Sequence, residues 1–386
     1  MKKNNILDKE VEKIEKDIIN WRRYFHMYPE LGFEEYKTSE KIQEILKEGG
    51  IKYEIKAKTG VVGYINKDFS KTIGIRADID ALPIEEQTEL EFCSKNKGIM
   101  HACGHDGHIA TLLGVGLILN KFKDSLNYNL KLIFQPCEEK LPGGALELIK
   151  EKVLDNVNFL IGFHFISDIP LNKIYIEKGI IMANTDRFKI IIEGKGGHGS
   201  TPDLTNDPIV CASYIISGLQ TIISRRISPH QPAVISVCKI KGGDAFNVIP
   251  DKVEIEGTVR TISENTRKKI KNEMKKISEK IASSFHCKIK FYYDFYSPSV
   301  KNDFKFTEVI EKTSKEILPS KNFYKYHPSM GGEDFAFYGK LVPSTYIFIG
   351  CGKKSGSHHS SKFNLDERVL PFAVRYLSNL ILNLKI

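Results

Sequence analysis

HACGHDGHIATLLGVGLILNKFKDSLNYNLKLIFQP, residues 101–136, passes from a ligand-rich octapeptide through a mostly apolar helix to a short apolar strand. The octapeptide alone allows two readings. Histidines near a helix start can cap it and a cysteine can be small and buried, or the stretch is one wall of a metal site. Working outward, the runs TIGIRAD (72–78), NFLIGFHF (158–165) and STYIFIGCG (344–352) also read as buried strands. An amphipathic helix reaches about residue 27, and EEYKTSEKIQEILKEGG is a second, stopped at Gly49-Gly50. A closing helix follows the last strand. Strands and helices alternating in this way predict a layered α/β domain with a largely parallel sheet.

The middle of the chain has a different rhythm. DRFKIIIEG is a strand, DPIVCASYIISGLQTIISRR a helix, and AVISVCKIKGG and DKVEIEGTVRT are strands. A lysine-rich helix and the strand KIKFYYDFY complete it. The order β-α-β-β-α-β predicts a ferredoxin-like α+β unit over 184–295, inserted into a larger domain made of 1–183 and 296–386.

Composition narrows the function. The chain has 386 residues, 41% hydrophobic and 27% charged, enough for two domains. Its seven cysteines are odd in number, scattered and not in CxxC pairs. That predicts a reducing compartment rather than a disulfide framework. No signal peptide or membrane span is read, so the expected location is the cytoplasm, with no membrane partner. The net charge of +9 raises nucleic acid as a partner. Much of that excess lies on the helix TRKKIKNEMKKISEKI (266–281), where Ile270, Met274, Ile277 and Ile281 make one apolar stripe. The lysines opposite are a solvated face, and no nucleic acid is expected.

Polar residues then fall at strand ends. Asp78 and Asp80 follow TIGIRA, Glu138 and Glu139 follow NLKLIFQ, and His164 ends NFLIGFH. His358 and His359 follow the C-terminal strand, and Cys103, His105 and Asp106 precede the apolar helix. Open α/β sheets build sites at this edge, so the octapeptide reads as a metal-site wall. Imidazole, carboxylate and thiolate together suit zinc or a neighbouring transition metal. Glu138-Glu139 suggests one carboxylate for the cation and one for protons. His26 reads as a helix-end or packing residue, while His198 among its glycines is open equally to a tight turn alone and to a functional role.

The blocks RADIDALPI (76–84), MHACGHDGH (100–108), QPCEE (135–139), GFH (162–164), GKGGHGSTP (194–202), NVIPD (247–251), GTVR (257–260), MGGEDFAFY (330–338) and HSSKF (359–363) stand in order along most of the chain. Together they resemble the aminoacylase/hippurate hydrolase group of metal-dependent amidohydrolases, which includes auxin-conjugate hydrolases. The resemblance implies a zinc-peptidase-like catalytic domain plus an inserted lid that dimerises. It implies two divalent metal ions (zinc, or manganese, nickel or cobalt) on Cys103, His105, Glu139, His164 and His359, with Glu138 as general base. His198 would stabilise the oxyanion, and Asn247 and Arg260 would take the substrate carboxylate. Asp80 and Asp106 would orient histidines. The implied reaction is hydrolysis of an N-acetyl- or N-benzoyl-type N-acyl-L-amino acid by a homodimer. A dipeptidase or carboxypeptidase of the same fold, or a catalytically silent metal-binding protein, are the alternatives. Cys137 replaces a customary small residue such as alanine, Asp203 a frequent histidine and Ser361 a common proline.

Overall fold

The computed structural model describes residues 2–140 and 143–386. They form two compact units, one of 2–140 and 143–179 with 301–327 and 334–386, the other of 180–300 with 328–333.

In the larger unit the helices α1 (Lys2–Met27) and α2 (Tyr36–Glu48) precede the strands β1 (Lys52–Lys56), β2 (Gly60–Ile65) and β3 (Thr72–Asp78). Helix α3 (His105–Lys121) leads to β4 (Asn129–Gln135), α4 (Gly144–Lys150), β5 (Phe159–Ile166) and β6 (Ile174–Tyr175). Strand Ser344–Gly350 and helix Val369–Asn383 close the chain. The seven-stranded sheet has the order β1-β2-β4-β3-β5-(344–350)-β6. Its four central strands run parallel and its flanking pairs antiparallel. The fold is therefore mixed α/β. Every residue of β3 is buried, as a parallel strand covered on both faces requires.

The apolar run after the octapeptide is α3. Nearly all of it is buried, and α1 and helix Val369–Asn383 pack against it. A helix apolar all round belongs in a core. Gly116 lets it lie against β4, since a Cβ there would stand 2.5 Å from a Leu132 methyl. The hairpin β1–β2 escaped the sequence reading. Its outer strand is lysine-bearing and largely solvated, so it has no apolar run to betray it.

The smaller unit holds a four-stranded antiparallel sheet in the order 233–241, 252–261, 184–193, 288–297, with helices Pro208–Arg225 and Glu264–Ser284 packed on it. This is ferredoxin-like connectivity. Ile270 and Met274 are buried against Ile215, Leu219 and Ile255, and Ile277 and Ile281 pack at the margin. Of its lysines, Lys268, Lys269, Lys275, Lys276 and Lys280 are exposed, whereas Lys271 is half-buried over the Phe295 and Tyr293 rings. Among the described residues no helix is long and apolar enough to cross a membrane.

Candidate metal centre

The α3 N-cap decides between the two readings of the octapeptide. It is Gly104, in the left-handed conformation at φ 87°, and no side chain caps the helix. The histidines are thus not capping residues. They project instead into a cluster built at the carboxyl ends of β3, β4 and β5 and on the loop after Ser344–Gly350.

Two histidines are presented alike. His105 Nδ1 lies 2.9 Å from the Asp80 carbonyl oxygen, and His164 Nδ1 lies 2.6 Å from that of Phe165. Since a carbonyl only accepts, both rings carry the proton on Nδ1 and turn Nε2 toward the cluster. His164 Nε2 is 3.4 Å from Cys103 Sγ. His105 Nε2 is 3.9 Å from Glu139 Oε1, which is also 3.2 Å from His359 Nε2. Cys103, His105 and His164 form one compact donor group, Cys103, Glu139 and His359 a second, and His105, Glu138 and Glu139 a third. All five expected ligands and the expected base therefore meet in one place.

The donor atoms fit a cation. His105 Nε2, Glu139 Oε1 and Asp80 Oδ1 are buried without a hydrogen-bond partner among the described residues. Buried polar atoms are otherwise almost always paired. A bare imidazole nitrogen facing a carboxylate oxygen needs a proton or a cation between them. Burial opposes charge on His105, yet Asp78, Asp80 and Glu139 push its pKa up to about 10. Burial, then Glu139 and Glu138, drive the Cys103 thiol well above its usual range. Burial and the neighbouring His108 and His358 hold His164 well below 6.5. A divalent cation inverts this logic, holding thiolate and neutral imidazole together.

Neighbouring groups fix the donors. Asp80 accepts from the Glu139 amide at 2.9 Å and keeps a carboxylate oxygen 3.3 Å from His105 Nδ1. The His359 amide donates to the Ala102 carbonyl, tying the C-terminal loop to the octapeptide. Asp106 differs from expectation: the histidine it holds is His26 at 2.8 Å, and it also pairs with Arg22. His26 in turn is no mere packing residue. Both its nitrogens are bonded, the second to Glu86 at 3.0 Å, and although burial opposes its charge these partners raise its pKa.

Several residues here lie in the stretches already quoted but carried no assigned role from sequence. His108 stacks on His105, but it is spent, accepting from the Phe165 amide and donating to Asp78. Its spacing of three from His105 on α3 was the available signal. Asp78 is bound by Arg76, which also reaches Gln135 and Asp334. His358 stands 3.9 Å from Cys103 Sγ and accepts from the Ser167 amide.

Within the smaller unit, strand Gly197–His198 pairs with Val248–Ile249, so His198 and Asn247 are neighbours. His198 Nδ1 accepts from the Ser200 amide at 3.1 Å, which leaves the proton on Nε2. Arg260 pairs in register with Thr185, and its guanidinium donates to the Thr185 hydroxyl. Asp203 lies exposed in a short 3-10 turn.

Comparison with known proteins gives a consistent picture. The profile of peptidase family M20/M25/M40 matches residues 74–383. The N-acetylcysteine deacetylase of Bacillus subtilis is 40% identical over 370 residues, covering 94% of this chain and 95% of its own. Thermostable carboxypeptidase 1 of Saccharolobus solfataricus is 42% identical, with 94% of each chain covered. The crystal structure of the Bacillus subtilis YXEP protein, a dinuclear metal-binding peptidase of the M20 family, superposes with a TM-score of 0.84 at 37% identity, over 96% of this chain and 98% of that one.

Proposed function

From the premise that the chain belongs to peptidase family M20/M25/M40, we propose that it is a metal-dependent amidohydrolase cleaving N-acyl-L-amino acids of N-acetyl or N-benzoyl type. The observation that carries this reading is Glu138 standing beside an intact donor set whose His105 Nε2 and Glu139 Oε1 lack partners among the described residues.

Two divalent cations held by Cys103, His105, Glu139, His164 and His359 would polarise the scissile carbonyl and acidify a water. Zinc suits the donors, and manganese, nickel or cobalt also fit. Glu138 takes the proton of the attacking water and returns it to the departing amine. His198 supplies an N–H donor to the oxyanion, in the tautomer its Ser200 contact enforces. Arg260 and Asn247 are assigned to the free carboxylate, for which a guanidinium fork is suited. Asp80 orients His105, and Asp106 acts one step further out through His26 and Arg22.

Residues 184–295 are read as a lid that also joins two copies. Strand Ala233–Lys241 lies at a sheet edge and exposes Val234 and Ile240, and the adjoining helix exposes Ile209 and Tyr214. The scattered, unpaired cysteines support a cytoplasmic setting. A second reading, release of amino acids from short peptides, is favoured by the resemblance to thermostable carboxypeptidase 1.

The test is free-amine release from N-acetyl amino acids, N-benzoyl amino acids and dipeptides, using chelated protein before and after metal add-back. Metal-dependent release from acyl amino acids is the expected result. Preferential dipeptide turnover would establish the second reading, and no release with any metal would leave a silent metal-binding protein.

A further inference from the structure

Cys137 links β4 to Glu138 and Glu139, and it is a non-glycine residue with φ at 53°. L-residues take this conformation only where surroundings enforce it. Beside the Gly144 amide, which donates to the Cys137 carbonyl, the group holding this turn is Glu35, fully buried and remote in sequence. One of its oxygens accepts from the Cys137 amide at 2.8 Å, and the other accepts from the Thr59 hydroxyl at 2.6 Å.

Glu35 occupies the N-cap position of α2, where a carboxylate would ordinarily accept from its own helix, yet it makes no such bond. Glu30 serves that helix instead, accepting from the Lys37 and Thr38 amides. The side chain of Glu35 is thereby released for the turn at Cys137. The same loop holds the opposite wall as well, for the Glu30 carbonyl accepts from the Ala81 amide beside Asp80. Gly32 packs against the turn so closely that a Cβ there would lie 2.7 Å from Cys137 Sγ.

We propose that Glu35 is a positioning residue for the carboxylate pair: its hydrogen bond to the Cys137 amide fixes the left-handed turn that aims Glu138 at the reacting amide and Glu139 at the cation. The inference rests on the amidohydrolase reading for Glu138, while its Glu139 half is readable without turnover. Outer groups that orient ligands typically carry 10–100-fold in metal affinity or activity.

The experiment compares Glu35→Gln with Glu35→Asp. Gln keeps the length and an oxygen for the Cys137 amide. Asp keeps the charge but is one methylene too short to reach it. Metal affinity is read by chelator competition with zinc alone, and kcat and KM on metal-saturated protein. Glu35→Asp should weaken zinc binding by roughly 10–100-fold and lower kcat by a similar factor with KM within about twofold. Glu35→Gln should stay within about threefold of the parent on both counts. Parent-like zinc affinity and kcat in Glu35→Asp would overturn the proposal, as would equal damage in the two variants. If the parent cleaves no acyl amino acid, the amidohydrolase reading fails, and the zinc comparison still decides whether Glu35 aims Glu139.

Discussion

Replacing Arg22 by Met tests how the start of α3 is held. Arg22 is fully buried, donating through Nε to Asp106 at 2.8 Å, through NH2 to Asn364 at 2.8 Å and through NH1 to Glu367 at 3.2 Å, with Phe92 beneath the guanidinium. Met keeps most of the aliphatic volume and removes the charge. Glu367 is still held by Arg23, so little is lost there. Asp106 is the exposed weakness, a buried carboxylate left with His26 alone. Breaking a buried pair from one side costs about 3–5 kcal/mol. The His26 pKa is raised in the fold, so its attraction for Asp106 is complete below the unfolded value near 6.5 and fades as pH rises through the folded value. The loss should therefore be ~3 kcal/mol at pH 6 and move toward ~5 kcal/mol at a pH above the folded value. Urea unfolding of chelated protein followed by Trp21, the single tryptophan and the neighbour of Arg22 on α1, measures it. The double variant Arg22→Met/Asp106→Asn should recover much of the loss, with a coupling of roughly 1–3 kcal/mol. A variant as stable as the parent at both pH values, or a coupling near zero, would refute the reasoning, because the network would then be no better than the apolar filling that often replaces buried ion pairs.

Other outcomes follow from the site. Glu138→Gln should lower kcat by roughly 10²–10⁴ with metal content unchanged, whereas Glu139→Gln should lose metal first, as elemental analysis after dialysis would show. Chelation should lower the unfolding midpoint, since a cation at a thousandfold above its Kd contributes about 4 kcal/mol, and add-back should restore it in the parent but much less in Cys103→Ala. Glu86 is held at a pKa of about 2, where burial is opposed by His26 and Thr88, so its contribution is complete above about 4.5 and lost as pH falls toward 2. Glu86→Gln should accordingly flatten the acid limb of stability between those values in pH-dependent urea midpoints.

What could be read beforehand follows a physical divide. Buried parallel strands write themselves as continuous apolar runs, so β3, β4 and β5 were legible while the solvated hairpin strand Lys52–Lys56 was not. Candidate donor side chains are chemically distinctive and collect at strand ends, which exposed Cys103, His105, the Glu138-Glu139 pair and His164, while the choice of Glu139 as the donor came only from the family resemblance. Groups that hold those ligands work differently. They act through backbone amides or across long separations, as Glu35 does on the amide of Cys137 and Arg22 on Asp106. Neither bond requires a recognisable spacing. The block MGGEDFAFY shows the same divide inside a motif. Asp334, from that block, accepts from Arg76, from the Gln135 amide side chain and from the Ala145 backbone amide. It thus braces the ends of β3 and β4 and the start of α4, the frame from which Asp78 and the Glu138–Glu139 turn depart. A residue type dictated by such a brace looks the same in sequence as one dictated by chemistry. Only the bonds made by each carboxylate separate the two: Glu139 aims an unpaired oxygen into the donor cluster, whereas Asp334 spends both of its oxygens on the scaffold.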